Sequence, residues 1–298
     1  MGHHNIQYAG DATSNNGAWS PPTSRANFCE EDYIVSFYLA EFINSLTNVA
    51  YSTLSVKSLP CKLEDNMQGT RLIRIRPHAV YFAFCAMSPS GPSIRLSHPK
   101  VDFMSLSLLV LGIGSFLFHA TLRQTLEFVD EFSMLGLTWS MLQAGLTTRQ
   151  PPARARLITA TLAVAYISFS AFYLWSAKII YQVFAFTGAL LGVLFRSQYV
   201  FHFARPSLPE AKRRDWNRRT WKALGVCVFG YLLWTIDLEY CAELRAVRAR
   251  VGLPWAWLFE FHGWWHILTA VGASQAMEVA REVRREVEKE ERGVDKSK

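Results

Sequence analysis

The chain has 298 residues, of which 50% are hydrophobic, 14% aromatic and 18% charged, and its formal net charge is +7 at pH 7. So low a charged fraction argues against an ordinary soluble domain and favours an integral membrane protein. The positive charge would suit nucleic acid only on a soluble surface, and its distribution along the chain argues against that reading.

Apolar stretches of about 20 residues, the length that crosses a bilayer as a helix, occur seven times. They cover roughly residues 33–56, 101–122, 127–147, 157–176, 179–203, 221–240 and 257–280. An eighth apolar piece, HAVYFAFCAM at 78–87, is too short to span and is interpreted as interfacial or as part of a long loop. The sequence therefore predicts an all-α bundle of seven transmembrane helices.

Lysine and arginine are distributed unevenly between the segments that join these helices. Of the 31 Lys and Arg residues, 24 fall in alternate segments, namely 57–100, 148–156, 204–222 and 281–298. Six fall in the other segments, and Arg196 lies within a predicted span. The positive-inside rule then places the N-terminus outside, in the lumen, and the C-terminus in the cytoplasm. The cluster KRRDWNRR at 212–219 becomes a cytoplasmic anchor, so no nucleic-acid partner is expected.

The chain is predicted to form one membrane domain with extensions. Residues 1–32 form a lumenal segment, and residues 33–280 form the seven-helix domain, which includes a long cytoplasmic loop at 60–100. Residues 281–298 form a charged cytoplasmic tail that is either helical or disordered.

Ionisable side chains are costly within a bilayer, so each one needs a reason. GIGSFLFHATL places Ser115 and His119 four residues apart, hence on one helix face, and Asp130 follows in FVDEF. FEFHGWWHILTA places His262 and His266 four apart in the last predicted helix. The predicted topology puts all five near the outer ends of their helices, so they should converge at one depth.

Three histidines with a carboxylate at one depth favour zinc, because a catalytic zinc site keeps three protein ligands and one open position. The HxxxH spacing is that of zinc proteases, but Gly263 stands where their motif has a glutamate. Asp130 is therefore the candidate base. The alternative is that the histidines are hydrogen-bonding core residues. Asp237 either orients a ligating histidine or simply ends a helix.

Three sequence blocks resemble the alkaline ceramidases of the CREST membrane-hydrolase superfamily. They are WSPPTSRANFCEEDYIVSFYLAEFINSLTN, GIGSFLFHATL followed by DE, and FHGWWHILTAVGA. The resemblance, over roughly residues 19–280, implies a zinc amidase of the endoplasmic reticulum or Golgi. Its lipid substrate would be ceramide, dihydroceramide or phytoceramide, cleaved to a sphingoid base and a fatty acid. His119, His262 and His266 would bind zinc, and Ser115 and Asp130 would complete the catalytic site.

The same resemblance implies a structural or regulatory calcium ion near the N-terminus. Its ligands would be Asn27, the backbone of Phe28, Glu30, Asp32 and Glu41. The family's usual DWCEEN is NFCEED here, which exchanges an acid and an amide without changing the carboxylate count. Without the family, the alternative is that Glu30, Glu31 and Asp32 form a solvated acidic cap that favours a helix N-terminus. Glu41 nevertheless lies two turns into an apolar stretch and needs a partner, which a cation would provide.

Two of the five cysteines, Cys29 and Cys241, lie on the outer side in the predicted topology. A disulfide between them is consistent with an oxidising lumen, and two free thiols are the alternative.

Two other function classes remain open at this level. A seven-helix zinc receptor of the adiponectin and progestin receptor type resembles the chain only in its sparse metal pattern, and its metal lies near the cytoplasmic side. A transporter would need polar residues across the whole bilayer, whereas those found here lie mostly in the outer half. A hydrolase of another lipid is the remaining alternative.

Overall fold

The computed structural model of the protein describes residues 11–57, 102–205 and 207–295. All regular secondary structure in these ranges is helical, which confirms the predicted all-α class. The elements are α1 (Phe42–Thr47), α2 (Val49–Lys57), α3 (Phe103–Thr121), α4 (Gln124–Thr147), α5 (Pro152–Ser176), α6 (Ile179–His202), α7 (Glu210–Glu239), α8 (Cys241–Val251), a 3₁₀ turn (Trp255–Phe259) and α9 (Phe261–Asp295). The predicted loop at 60–100 and the short apolar piece at 78–87 lie outside the described residues.

Four of the described helices, α3, α5, α6 and α7, are long and apolar enough to cross a membrane. Helices α4 and α9 are also long, at 24 and 35 residues, but neither contains 18 consecutive residues that are apolar enough to be counted with these four. The protein is therefore an integral membrane protein, while the count of seven spans stays a prediction.

The prediction of a first helix over residues 33–56 is wrong about where that helix starts. The helix begins at Phe42, and residues 33–41 form an irregular segment with Tyr33 at a positive φ of 57°. The Ala40 and Glu41 N–H groups donate to the Ala120 and His119 carbonyls, at 2.9 and 3.0 Å. Because these backbone N–H groups pair with carbonyls at the end of α3, they are not available for hydrogen bonds within a helix. The apolar segment before Phe42 is therefore not helical.

The helix boundaries at the opposite end of the molecule also differ from those predicted. Helix α7 begins at Glu210 rather than near 221, and α9 continues to Asp295 rather than ending near 280. Lys212 pairs with Glu286 at 2.7 Å and Arg219 with Glu282 at 2.8 Å, so these extensions pack as a charged helical pair. The charged tail was predicted to be either helical or disordered, and it is helical as far as residue 295.

Helix packing places the ends of three elements together. Helix α9 packs along α7 and also contacts α1 and α2, while α3 packs on α1, α2 and α4. Helix α5 packs on α4, and its other face is exposed, with Leu157, Val164 and Ile167 each about two-thirds accessible. Such a face suits contact with lipid. The start of α9, the end of α3 and the irregular segment before α1 meet at one end of the bundle.

Candidate metal centre and cavity

Three histidines meet where α3 ends and α9 begins. His119 lies in the last turn of α3, while His262 and His266 lie in the first two turns of α9. All three are buried, and one ligand atom from each lies within 4.8 Å of the others. Within the described ranges, no other group of three or more histidine, cysteine or acidic side chains comes close enough to hold one ion.

Hydrogen bonds fix two of the rings. His119 Nδ1 contacts Glu41 Oε2 at 2.5 Å, and His266 Nδ1 contacts Thr47 Oγ1 at 3.0 Å. Thr47 Oγ1 already donates to the Ile43 carbonyl at 2.8 Å, so we assign the proton of that contact to His266 Nδ1. Both histidines then keep Nε2 as an acceptor. His119 Nε2 is buried without a hydrogen-bond partner among the described residues.

This geometry fits a zinc ion. A metal-binding imidazole typically donates its second N–H to a carboxylate, a hydroxyl or a carbonyl, which sets its orientation. Buried polar atoms rarely lack a partner, so the orphan His119 Nε2 calls for a ligand that the protein itself does not provide. Three neutral imidazoles are also a ligand set that zinc favours.

The third ring, His262, is held by aromatic contacts. Phe28 stacks on it with ring centroids 3.9 Å apart, and Trp234 approaches edge-on at 5.6 Å. His262 Nδ1 has no hydrogen-bond partner in the described structure. The family resemblance implied a role only for the backbone of Phe28, and nothing in the local sequence marks its side chain as a neighbour of the last helix.

Ser115 and Asp130 lie beside the histidines. Ser115 is one turn before His119 in α3 and is 2% exposed, and its side chain hydrogen-bonds to the Asp130 carboxyl from α4. Asp130 Oδ1 has no partner among the described residues. The arrangement offers a hydroxyl and a carboxylate next to the candidate metal position.

Asp237 lies at the same end of the bundle but holds a helix terminus. Its Oδ1 accepts the Phe261 backbone N–H at 3.2 Å, which satisfies a donor at the start of α9. Of the two roles considered for Asp237, this contact fits the one at a helix end. The Asp237 carboxylate holds the start of α9 in place rather than an imidazole ring. Glu260, immediately before α9, forms a buried ion pair with Arg248 at 2.7 Å.

A cavity of about 690 Å³ extends from the histidines between α4, α6, α7 and α9. Ser115, Asp130, His262 and His266 line the end of the cavity at the histidines, and Arg196 and Val283 line the far end. Its wall is mostly apolar, which suits a ligand with long hydrocarbon chains. Arg196 donates to the Gly145 and Thr148 carbonyls at 3.0 and 3.2 Å, so it terminates α4 rather than forming part of a polar path.

The predicted calcium ligands surround the segment before α1. The two oxygens of Glu30 accept the Ile43 and Asn44 N–H groups at 2.7 and 2.8 Å, so Glu30 caps α1. Glu41 Oε1 accepts the Phe28 N–H at 3.2 Å, and Asn27 contacts Asp32 at 3.4 Å. These side chains are neighbours, but their acidic groups do not converge as closely as the histidines do.

The buried acidic side chains of this segment lie close enough to repel one another. Burial, together with repulsion from Glu41, raises the pKa of both Glu30 and Asp32 to about 8. Both lie outside the membrane-spanning helices. Asp32 Oδ1 is buried with no hydrogen-bond partner in the described parts of the chain. A divalent cation at this place would relieve the repulsion.

Cys29 and Cys241 form a disulfide bond in the structure. It joins the N-terminal segment to α8 across 212 residues of sequence. Both neighbours of Cys29 help to position the site, since Phe28 stacks on His262 and Glu30 caps α1, the helix whose Thr47 contacts His266. The bond therefore ties the segment that contacts the histidine cluster to the start of α8.

Replacing Cys29 and Cys241 together by serine is expected to lower stability by about 2–5 kcal/mol, because the unfolded chain regains the entropy of a long loop. A thermal unfolding scan in detergent measures the change. Cys227→Ser, which alters a free cysteine in α7, is the matched control and should leave the midpoint nearly unchanged. Equal midpoints for the double variant and the wild type would contradict this prediction.

The family model and the relatives that match this chain all belong to one family of proteins. A family model described as Ceramidase matches residues 20–296. The chain is 28% identical over 267 residues to alkaline ceramidase 3 of Mus musculus, covering 88% of this chain and 84% of that protein. It is 26% identical over 272 residues to alkaline ceramidase YPC1 of Saccharomyces cerevisiae, covering 86% and 75%. An alkaline ceramidase of Arabidopsis thaliana is 27% identical over 124 residues, or 42% of this chain and 36% of that protein.

Proposed function

The chain belongs to the ceramidase family and is a ceramidase hydrolase embedded in the membrane, and we propose that it is a zinc-dependent amidase. Its substrates would be ceramide, dihydroceramide or phytoceramide. The observation that carries the proposal is the cluster of three buried histidines at the outer end of a largely apolar cavity, with Ser115 and Asp130 alongside.

Zinc held by His119, His262 and His266 would supply a Lewis acid that makes water nucleophilic near neutral pH. Asp130 accepts a proton from the water that attacks the amide carbon. It then returns that proton to the nitrogen as the C–N bond breaks, so the products are a fatty acid and an amine. Ser115 donates a hydrogen bond toward the oxygen on which negative charge develops.

The cavity supports binding of the two hydrocarbon chains. Trp234 and Trp265 line it near the histidines, and residues of α6 and α9 continue the apolar wall toward Val283. Along α9, His262 and Val283 are 21 residues apart, or about 30 Å at the rise of an α-helix. Chains of ordinary lipid length therefore fit beside the reacting amide.

We further infer seven spans with a lumenal N-terminus and a cytoplasmic C-terminus, in the endoplasmic reticulum or Golgi. The four apolar helices and the asymmetry of Lys and Arg support this arrangement. It would place the histidine cluster near the lumenal side, together with the disulfide.

A single preparation tests the proposed activity. Purified protein in detergent is incubated with ceramide, dihydroceramide and phytoceramide, and its metal content is measured on the same sample. We expect release of a sphingoid base with about one zinc per chain. Stoichiometric zinc without turnover of any of the three would favour a receptor or a hydrolase of another lipid.

We also propose that a calcium ion binds among Asn27, the Phe28 backbone, Glu30, Asp32 and Glu41. Its support is the buried, mutually repelling set of carboxylates described above. Oxygen ligands of this kind suit calcium. Such an ion would stabilise the segment that carries Phe28 and Glu41, and both of these residues touch the histidines.

Calcium is expected to raise the unfolding temperature of the purified protein, because an ion that binds only the folded state stabilises it by about 2.7 kcal/mol at 100 times its Kd. Asp32→Asn should remove most of this shift. Glu31→Gln is the matched control, since Glu31 is the exposed neighbour of Asp32. A wild-type unfolding temperature that is the same in EGTA and in millimolar calcium would argue against the site.

A further inference from the structure

A second carboxylate, Glu131, stands at the outer end of the cavity and has no part in the proposed bond cleavage. It follows Asp130 in α4, and both residues line the cavity. The Tyr173 hydroxyl donates to Glu131 Oε2 at 2.8 Å, and Gln182 Nε2 donates to the Glu131 main-chain oxygen at 2.9 Å. Tyr173 and Gln182 are both buried, so neighbouring helices fix the position of this carboxylate.

The two sides of the cavity differ at this end. Glu131 and Gln182 line the side formed by α4 and α6, while Tyr231, Trp234 and Trp265 line the side formed by α7 and α9. A substrate that fits such a cavity carries polar groups on one side of its reacting centre and a hydrocarbon surface on the other.

Glu127, one turn earlier on the same face of α4, helps to isolate the role of Glu131. The Glu127 carboxylate accepts the backbone N–H groups of Arg25 and Ala26, at 2.8 and 3.2 Å, so both its oxygens are engaged. Glu131 differs, because in the described structure only Oε2 accepts a hydrogen bond. A carboxylate in apolar surroundings is costly unless its oxygens are paired, so Oε1 is suited to receive a donor from a bound molecule.

Ceramide has such donors at the right place. It is an N-acylated 2-amino-1,3-diol, so each carbon next to the amide-bearing carbon carries a hydroxyl group. In the proposed reaction Asp130 transfers the proton at the amide. Glu131, the next residue on the same helix, also lines the cavity and would then lie beside these hydroxyl groups. We propose that Glu131, held by Tyr173, binds a hydroxyl group of the sphingoid base next to the amide. This inference rests on the proposed function.

The test combines variants of this residue with substrates that lack one hydroxyl each. Glu131→Leu removes both acceptor oxygens at similar volume, and Glu131→Gln is the milder change. Each is assayed on ceramide, on a 1-deoxyceramide and on a 3-deoxyceramide. Glu243→Leu, at an exposed position in α8, is the matched control. Zinc content and the unfolding midpoint are measured on every variant.

We expect Glu131→Leu to lower kcat/KM on ceramide roughly 10- to 100-fold, because a hydrogen bond to a charged group is lost. On the analogue that lacks the recognised hydroxyl, the variant and the wild type should be equally slow. That pattern also identifies the hydroxyl. Tyr173→Phe should show the same pattern with a smaller loss, since it releases the carboxylate without removing it.

An equal loss on all three substrates would overturn the inference and leave Glu131 as a tie between α4 and α5. That result would leave the proposed amidase intact, provided that the wild type cleaves ceramide. If the wild type cleaves none of the three substrates, the proposed function and this inference both fail.

Discussion

Replacing His119, His262 or His266 by alanine is expected to remove bound zinc and to lower kcat/KM for ceramide at least about 1,000-fold. Each histidine would provide one of three protein ligands, and two imidazoles hold zinc much more weakly than three. The rings are only 1–3% exposed, so water does not readily take the place of a missing ligand. Zinc per chain and initial rates on the same purified variants measure the effect.

His202→Ala provides the matched control. His202 lies at the end of α6 and is exposed, so its replacement should change neither zinc content nor rate. Because a buried histidine also fills space, the unfolding midpoint of each variant must be recorded, and His→Asn variants repeat the test with less loss of volume. Turnover that persists in a triad variant without zinc would refute the metal mechanism.

The sequence was sufficient to predict the histidine cluster because helical spacing and membrane topology both constrain it. Ser115 and His119 share a face through their i, i+4 spacing, and so do His262 and His266. Alternation of helix direction then brings the two pairs to the same end of the bundle. The structure brings these histidines together, with a ligand atom of each within 4.8 Å of the others.

Contacts between segments distant in sequence could not be predicted in this way. Glu41 needed a partner in an apolar stretch, and the resemblance assigned it to calcium; the contact of its Oε2 with His119 was not predicted. Neither the Thr47 contact with His266 nor the stacking of Phe28 on His262 has a periodic signal. The start of the first helix was misplaced for a related reason, because the segment before Phe42 pairs with the end of α3.

These contacts have a common consequence for the site. Each histidine is oriented by a group that the segment before α1, or α1 itself, contributes: Glu41, Thr47 and Phe28. That region is joined to α8 by the disulfide and contains the proposed calcium ligands. Changes there should therefore act on zinc affinity before they act on the reacting groups themselves.

Asp130→Asn should separate metal binding from proton transfer. The amide is nearly isosteric with the carboxylate and still accepts a hydrogen bond from Ser115, so the fold and the histidine cluster should be preserved. It cannot take up the proton of the attacking water, and general acid–base catalysis is typically worth about 100- to 10,000-fold in rate. We therefore expect a loss of that size in kcat with about one zinc still bound per chain.

The matched control for this variant is Asp215→Asn, because Asp215 lies on α7 outside the cavity and pairs with Arg218 at 2.8 Å. It should retain wild-type kcat. The decisive comparison is between Asp130→Asn and the histidine variants. Loss of zinc in Asp130→Asn would make Asp130 a residue that supports the metal, whereas full activity with zinc bound would require another base. Retained zinc with lost turnover assigns the proton transfer to Asp130.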